Sequence, residues 1–521
     1  MAHPQEHYEY LKRGRIYTLF YPCRHNNIRK YIFLHHPNDK KRVGRHKNYA
    51  ETGVFLKSTR TGREYMMKKI ASLILVFAVI TVCLSGCSDK ARPDADNPVT
   101  LTMWHVYGSQ TKSPLNDAID TFNDTVGREK GVTVNVVSVT SSSAIDKALS
   151  ASANGEPGAE DLPDLFTAYP RVAEIVGEDK LLCWNDYFSE DELSVFRDEF
   201  ISEGYFGDKF LMLPIAKSSE ALFLNKTLFD RFSTGTGITL DKLRTFEGFF
   251  EAANNYYIWS DGQSFTQIND FYNYAYIGMK AYGSEFIRDG RLNLNDGAFE
   301  KVWYPLSRAA IFGGICLDDG YAASRWKTVE IISNIGSTAD ILYQPEMVFY
   351  SDNTTENITS VSLPYPIFTE GQPSAVHRGG GLFAVRSEDE RKNYGAYIFA
   401  EWLTEKENNL CFVTSAGYLP VTHEAFEELF ADTGIVGKES YRNLYDMMNG
   451  MMDSYELHAL PLYSNASDIQ SRFEQNVKLV LKSAHNRYIE RTEKGEDMTA
   501  VLDELTASSL IELKKLCDKD M

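Results

Sequence analysis

The chain has 521 residues, long enough for more than one ordinary core, and carries 72 Asp and Glu against 54 Lys and Arg, a formal charge of −18. That acidity argues against nucleic acid as the partner of the bulk of the chain. Its 7 cysteines are widely spaced, with no CxxC pair or Cys/His cluster, so zinc modules and dense disulfide frameworks find no support, and neither a metal nor a cofactor is expected.

Residues 1–65 stand apart, with 14 Lys and Arg, 5 Asp and Glu and six of the 11 His. Their formal charge of +9 leaves −27 for residues 66–521. Such a segment could be a basic arm for nucleic acid. The expectation adopted is that translation starts at Met66 or Met67 and that 1–65 is not part of the protein. An export signal belongs at an N-terminus, and one follows directly. Lys68 and Lys69 precede the apolar run Ile70–Leu84, then small Ser85 and Gly86, Cys87 and a polar tail. The run is shorter than the ~20 residues that span a membrane comfortably. Leu84-Ser85-Gly86-Cys87 resembles the lipobox of bacterial lipoproteins. That resemblance implies cleavage before Cys87, acylation of its thiol, and a chain tethered through 88–98 to the outer face of the cell membrane.

Downstream, strand and helix patterns alternate. Val99–Trp104 reads as a strand, Asn116–Thr125 as a helix, Val132–Val139 as a strand, Ser143–Ala153 as a helix and Leu162–Thr167 as a strand. Phe210–Pro214 and Ala221–Leu224 read as short strands, Phe246–Tyr257 and Phe299–Phe312 as helices, Ile331–Ile335 and Gly381–Val385 as strands. Ser387–Glu390 and Thr404–Glu407 read as capping boxes, the first opening a helix with Tyr394, Tyr397, Ile398 and Trp402 inward. Asp468–Lys515 reads as largely helical. The alternation predicts an α/β protein with parallel sheets.

Four stretches in order carry a family resemblance: LTMWH; PDLFTAYPRVAEIV with LLCWNDYFSEDEL; DKFLMLPIAKSSEALFLNKTLFD; and HRGGGLFAVRSEDERKNYGAYIFAEWLTEKENNLCFVTSAGYLPV. Together they resemble the extracellular solute-binding proteins of ABC importers, family 1, the maltose-binding type, over nearly all of 98–430. The resemblance implies a two-lobe periplasmic-binding-protein-like clamp of type II with ligand in the cleft. Lobe one is expected at 98–216 plus 333–388 and lobe two at 217–332 plus 389–521, with hinges near Pro214 and Ser333. It further implies a monomeric, non-enzymatic, lipid-anchored subunit that captures a sugar or oligosaccharide and delivers it to membrane permease subunits.

Ligands of such sheets bind beyond the carboxyl ends of strands. This places Trp104, His105, Tyr107, Tyr169, Arg171, Ser219, Glu220, Ser337, Arg378, Gly379 and Gly380 at the expected site. Trp259 and Trp326, beside polar loops, are added as sugar-stacking candidates. Trp402 is assigned to core. Two alternatives stay open: an exported carbohydrate-active hydrolase with a carboxylate pair, and a binding protein for glycerol phosphate or another polar solute.

Overall fold

Alternating apolar residues draw Val99–His105 into the first strand, β1, which buries Val99, Leu101 and Met103. The computed structural model describes residues 92–108, 113–461 and 466–519. The basic extension, the export signal, Cys87 and the start of the tether lie outside the described residues. Ser113 opens the helix Pro114–Phe122 (α1) by accepting from the Asn116 amide, with Pro114 in the first turn where no amide is missed. Val132–Val139 (β2), Ser142–Ala153 (α2) and Leu165–Ala168 (β3) follow.

Further along come Glu220–Asn225 (β4), Lys226–Thr236 (α3), Phe246–Trp259 (α4), Thr266–Ile268 (β5), Phe271–Ala281 (α5) and Gly297–Phe312 (α6). Next are the strands Ser333–Ser337 (β6), Ser360–Pro364 (β7), Ser374–His377 (β8) and Gly381–Ala384 (β9). Four helices follow: Glu390–Thr404 (α7), Lys406–Ala416 (α8), His423–Ala431 (α9) and Glu439–Ser454 (α10). Strand Glu456–Ala459 (β10) and the long helices Ala466–Glu493 (α11) and Met498–Lys519 (α12) end the described chain. Among the described residues no helix is long and apolar enough to cross a membrane.

Two four-stranded sheets organise these elements. The first runs β2-β1-β3-β9, parallel until β9, which is antiparallel to β3. Leu213 adds a bridge to Leu382 beyond β9. The second runs β7-β4-β6-β5, with β4 antiparallel to both β6 and β7. Residues 214–219 link the first sheet to the second. They lie beside 377–380, where Ser218 and Arg378 exchange both backbone hydrogen bonds at 2.8 Å.

Several sequence expectations are corrected here. β6 and β7 belong to the second sheet with β4, not to the first as the 333–388 assignment required. Helix α7 packs on the first sheet, where Phe399 meets Phe122 at 5.1 Å between ring centroids. Ser333 opens β6, where its amide and hydroxyl both donate to the Phe265 carbonyl. Helix α7 is capped by Asp389 rather than by a Ser387 box, and Thr404 donates back to Ala400 instead of capping α8. Phe399, Leu403 and Trp402 form its inward face, while Tyr394, Tyr397 and Ile398 are only half-buried.

Candidate functional site

Where the linking segments meet, the chain builds a cleft around Arg378. Its guanidinium Nη1 lies 3.0 Å from Glu220 Oε1 and 3.7 Å from Asp270 Oδ2, and Nη2 lies 3.5 Å from the Tyr169 hydroxyl. Glu220, buried at the start of β4, also accepts from Asn273 Nδ2 at 2.7 Å. Asp270 caps α5 through the Asn273 amide and accepts from Gln470 of α11. Glu474, also on α11, accepts from the Tyr272 amide at 2.6 Å. Burial raises Glu220 to about 7 against the pull of Arg378, and burial with nearby Asp270 pushes Glu474 well up. One guanidinium therefore serves two carboxyl groups, Glu220 and Asp270.

A cavity of about 190 Å³ opens on one side of Arg378. Tyr107, Tyr169, Tyr343 and Tyr418 supply aromatic walls, and Ser218, Ser337 and Asp340 supply polar groups. Tyr107 and Tyr418 meet edge to face at 5.0 Å. A smaller cavity of about 50 Å³ shares Tyr169, Arg378 and Gly379 and reaches Arg171, Glu203, His377 and Gln470. Below it Lys217, fully buried, donates to Glu203 at 3.1 Å and to the Gly379 carbonyl at 3.2 Å. Burial keeps His377, 3.1 Å from Glu203, below the usual histidine range.

The glycines of this loop are fixed by close approach. Gly379 has φ of 130°. A Cβ on Gly380 would sit 2.2 Å from the Ala168 carbonyl oxygen, a backbone atom of the neighbouring strand. Gly380→Ala is therefore expected to cost about 1–3 kcal/mol as overpacking, measured as a lowered urea midpoint with unchanged m.

Of the residues picked from sequence, the structure brings Tyr107, Tyr169, Arg171, Ser337, Arg378, Gly379 and Gly380 to the two cavities, with Glu220 directly behind Arg378. Arg171 is paired with Asp146 and stacks over Tyr169. The others lie elsewhere. Trp104 is buried among Ile145, Leu149 and Phe166. His105 is sealed in, bonded to Asn116 at 2.7 Å, and lowered to about 4 by burial. Ser219 ties the linker to Val376. Trp326 is fully buried core, and Trp259 packs on Phe232 at the surface. Asp340, Tyr343 and Tyr418 were missed. Only Tyr418 had a local cue, the GYLP stretch, where Gly417 in the left-handed region ends α8 and places the next residue.

The profile of the family described as bacterial extracellular solute-binding protein matches residues 117–434. The sequence matches none of the curated proteins. Among solved structures, the chain is similar to the cyclic alpha-maltosyl-1,6-maltose binding protein of Arthrobacter globiformis at 16% identity and a TM-score of 0.54, covering 80% of this chain and 100% of that one. It is similar to an ABC substrate-binding protein of Listeria monocytogenes in complex with cycloalternan, at 14% identity and a TM-score of 0.58 over 80% and 98% of the chains. UgpB from Mycobacterium tuberculosis in complex with glycerophosphocholine gives 16% and 0.55 over 80% and 99%. These likenesses are of fold, the two-sheet clamp of type II binding proteins.

Proposed function

The chain belongs to the bacterial extracellular solute-binding proteins, and we propose from that premise that it captures a neutral sugar or short oligosaccharide for an ABC importer. The observation that carries the reading is the larger cavity, in which four tyrosines stand among Ser218, Ser337, Asp340 and Arg378. Sugars offer apolar faces and a ring of hydroxyls, and this lining offers aromatic plates with donors and acceptors between them. At about 190 Å³ the cavity falls below the ~300–1,000 Å³ of sites for drug-sized ligands, so it suits one ring. Tyr343, 43% exposed, carries the aromatic wall to the mouth, where a further ring could rest.

A phosphate-bearing solute is the weaker alternative. Arg378, the cation facing the larger cavity, already serves Glu220 and Asp270, and the cavity's own charged lining adds a carboxylate. A hydrolase needs two carboxyl groups flanking the scissile bond. Among the described residues Asp340 is the one carboxylate lining the larger cavity, which favours binding over cleavage. The lipobox-like Leu84–Cys87 stretch supports a lipid anchor on the outer membrane face, and the family supports delivery to a permease.

The test is a thermal-shift screen of the full-length protein against glucose, maltose, maltotriose, cellobiose, xylobiose and glycerol phosphate. A sugar at about 100 times its dissociation constant adds roughly 2.7 kcal/mol of stability. The expected result is a saturable shift with a neutral sugar that chromatography recovers intact. A shift with glycerol phosphate alone, or a cleaved oligosaccharide, overturns the reading.

A further inference from the structure

We propose that Asp340 is the specificity-determining carboxylate of this cleft: placed by Asn269 in space left by Gly336, it accepts from solute hydroxyl or ammonium groups and excludes phosphate- and carboxylate-bearing solutes. The inference rests on the solute-binding reading only for where the solute sits.

Asp340 lies on the short 3-10 helix Thr338–Tyr343 that follows β6, and it lines the larger cavity. Asn269 Nδ2 donates to its Oδ2 at 2.8 Å. Asn269 is itself held, its amide donating to the Ile335 carbonyl at 3.0 Å and its side-chain oxygen accepting from Gln267 at 3.2 Å. The pair needs Gly336, where a Cβ would fall 2.3 Å from Asp340 Oδ2 and 2.5 Å from Asn269 Nδ2. The backbone therefore gives up a side chain on a buried strand to seat this carboxylate.

What the carboxylate lacks is a direct ion-pair partner. Among the described residues it enters no ion pair, and Arg378 acts on it only at longer range while engaging Glu220 and Asp270. A second group points the same way. The Tyr107 hydroxyl, on a residue 2% exposed in the wall of the same cavity, has no hydrogen-bond partner among the described residues. Leaving such groups unmet is costly, and a solute that donates to Asp340 and meets Tyr107 removes the cost. An anion instead enters beside a carboxylate with no direct ion-pair partner, a like-charge juxtaposition that rejects wrong partners. Burial raises Asp340 to about 6, so it is ionised at neutral pH and the rejection operates there.

The experiment compares full-length wild type, Asp340→Asn and Gly336→Ala by calorimetric titration with glucose, glucosamine, maltotriose, glucose phosphate and inorganic phosphate. Circular dichroism confirms the folded state of each. Wild type is expected to reject both phosphates. Asp340→Asn should bind glucose phosphate about tenfold or more tightly than wild type does, because the repelling charge is gone while shape and the Asn269 contact can persist. Gly336→Ala keeps the charge but displaces it, and should weaken the neutral compounds without admitting phosphates. Gained phosphate binding in Asp340→Asn with no sugar bound by wild type sinks the sugar reading and supports the assignment. Phosphate binding that is the same in wild type and folded Asp340→Asn, or tight in wild type, overturns the assignment whatever the sugars do.

Discussion

Arg378→Met is expected to destabilise the protein by about 3–5 kcal/mol, the usual result of removing one partner from a buried charge pair. The methionine fills the guanidinium's volume, so little of the loss comes from a cavity. What remains is Glu220 at 2% exposure, with Asp270 nearby and no guanidinium between them. Buried Glu220 can escape only by taking a proton. The cost should therefore grow with pH, smaller near pH 5 than at pH 8. The double variant Arg378→Met with Glu220→Gln should recover part of the loss, because the orphaned charge is removed with its partner. Urea unfolding of the four proteins at two pH values measures this. A single-variant loss under about 1 kcal/mol with no pH trend would mean that the pair is not buried as described.

How far this site could be read from sequence depended on how local its causes are. β2 runs over 132–139 as its alternating pattern predicts, because one buried face against one exposed face is written in successive residues. Arg378, Gly379 and Gly380 were legible for a similar reason: a glycine run before a strand marks close backbone approach. Trp104 misled because a strand end was taken as a cleft edge, whereas residues 104 and 105 still pair with β2 and the former is sealed under α2. The division between lobes failed at β6 and β7, since antiparallel pairing with β4 lies more than a hundred residues away in sequence. Asp340 had no local signature at all. Its role comes from Asn269, 71 residues earlier, and from a missing side chain at Gly336.

Glu220 makes the protein's stability fall as pH rises through the weakly acidic range. Its carboxyl lies near 4.5 when unfolded and is raised to about 7 in the folded cleft, chiefly by burial. Between those values the folded state holds more protons than the unfolded one, so unfolding becomes easier with each step up in pH and levels off above about 7. A shift of that size corresponds to about 3 kcal/mol lost across the window. Most other shifted surface carboxylates work in the opposite sense. Glu192, Asp296 and Asp389 are held below their usual range by hydrogen bonds, so their contribution is present above the unfolded value and lost in acid. The total pH profile therefore mixes both signs, and the diagnostic quantity is the difference between wild type and Glu220→Gln. Gln keeps the shape and can still accept from Asn273 and Arg378. The variant should lose the downward slope between about pH 4.5 and 7 while keeping the acid limb. Denaturant titrations across that range decide it. Parallel profiles for the two proteins would place the titrating proton elsewhere in the cluster, with Glu474→Gln as the variant that then flattens the curve.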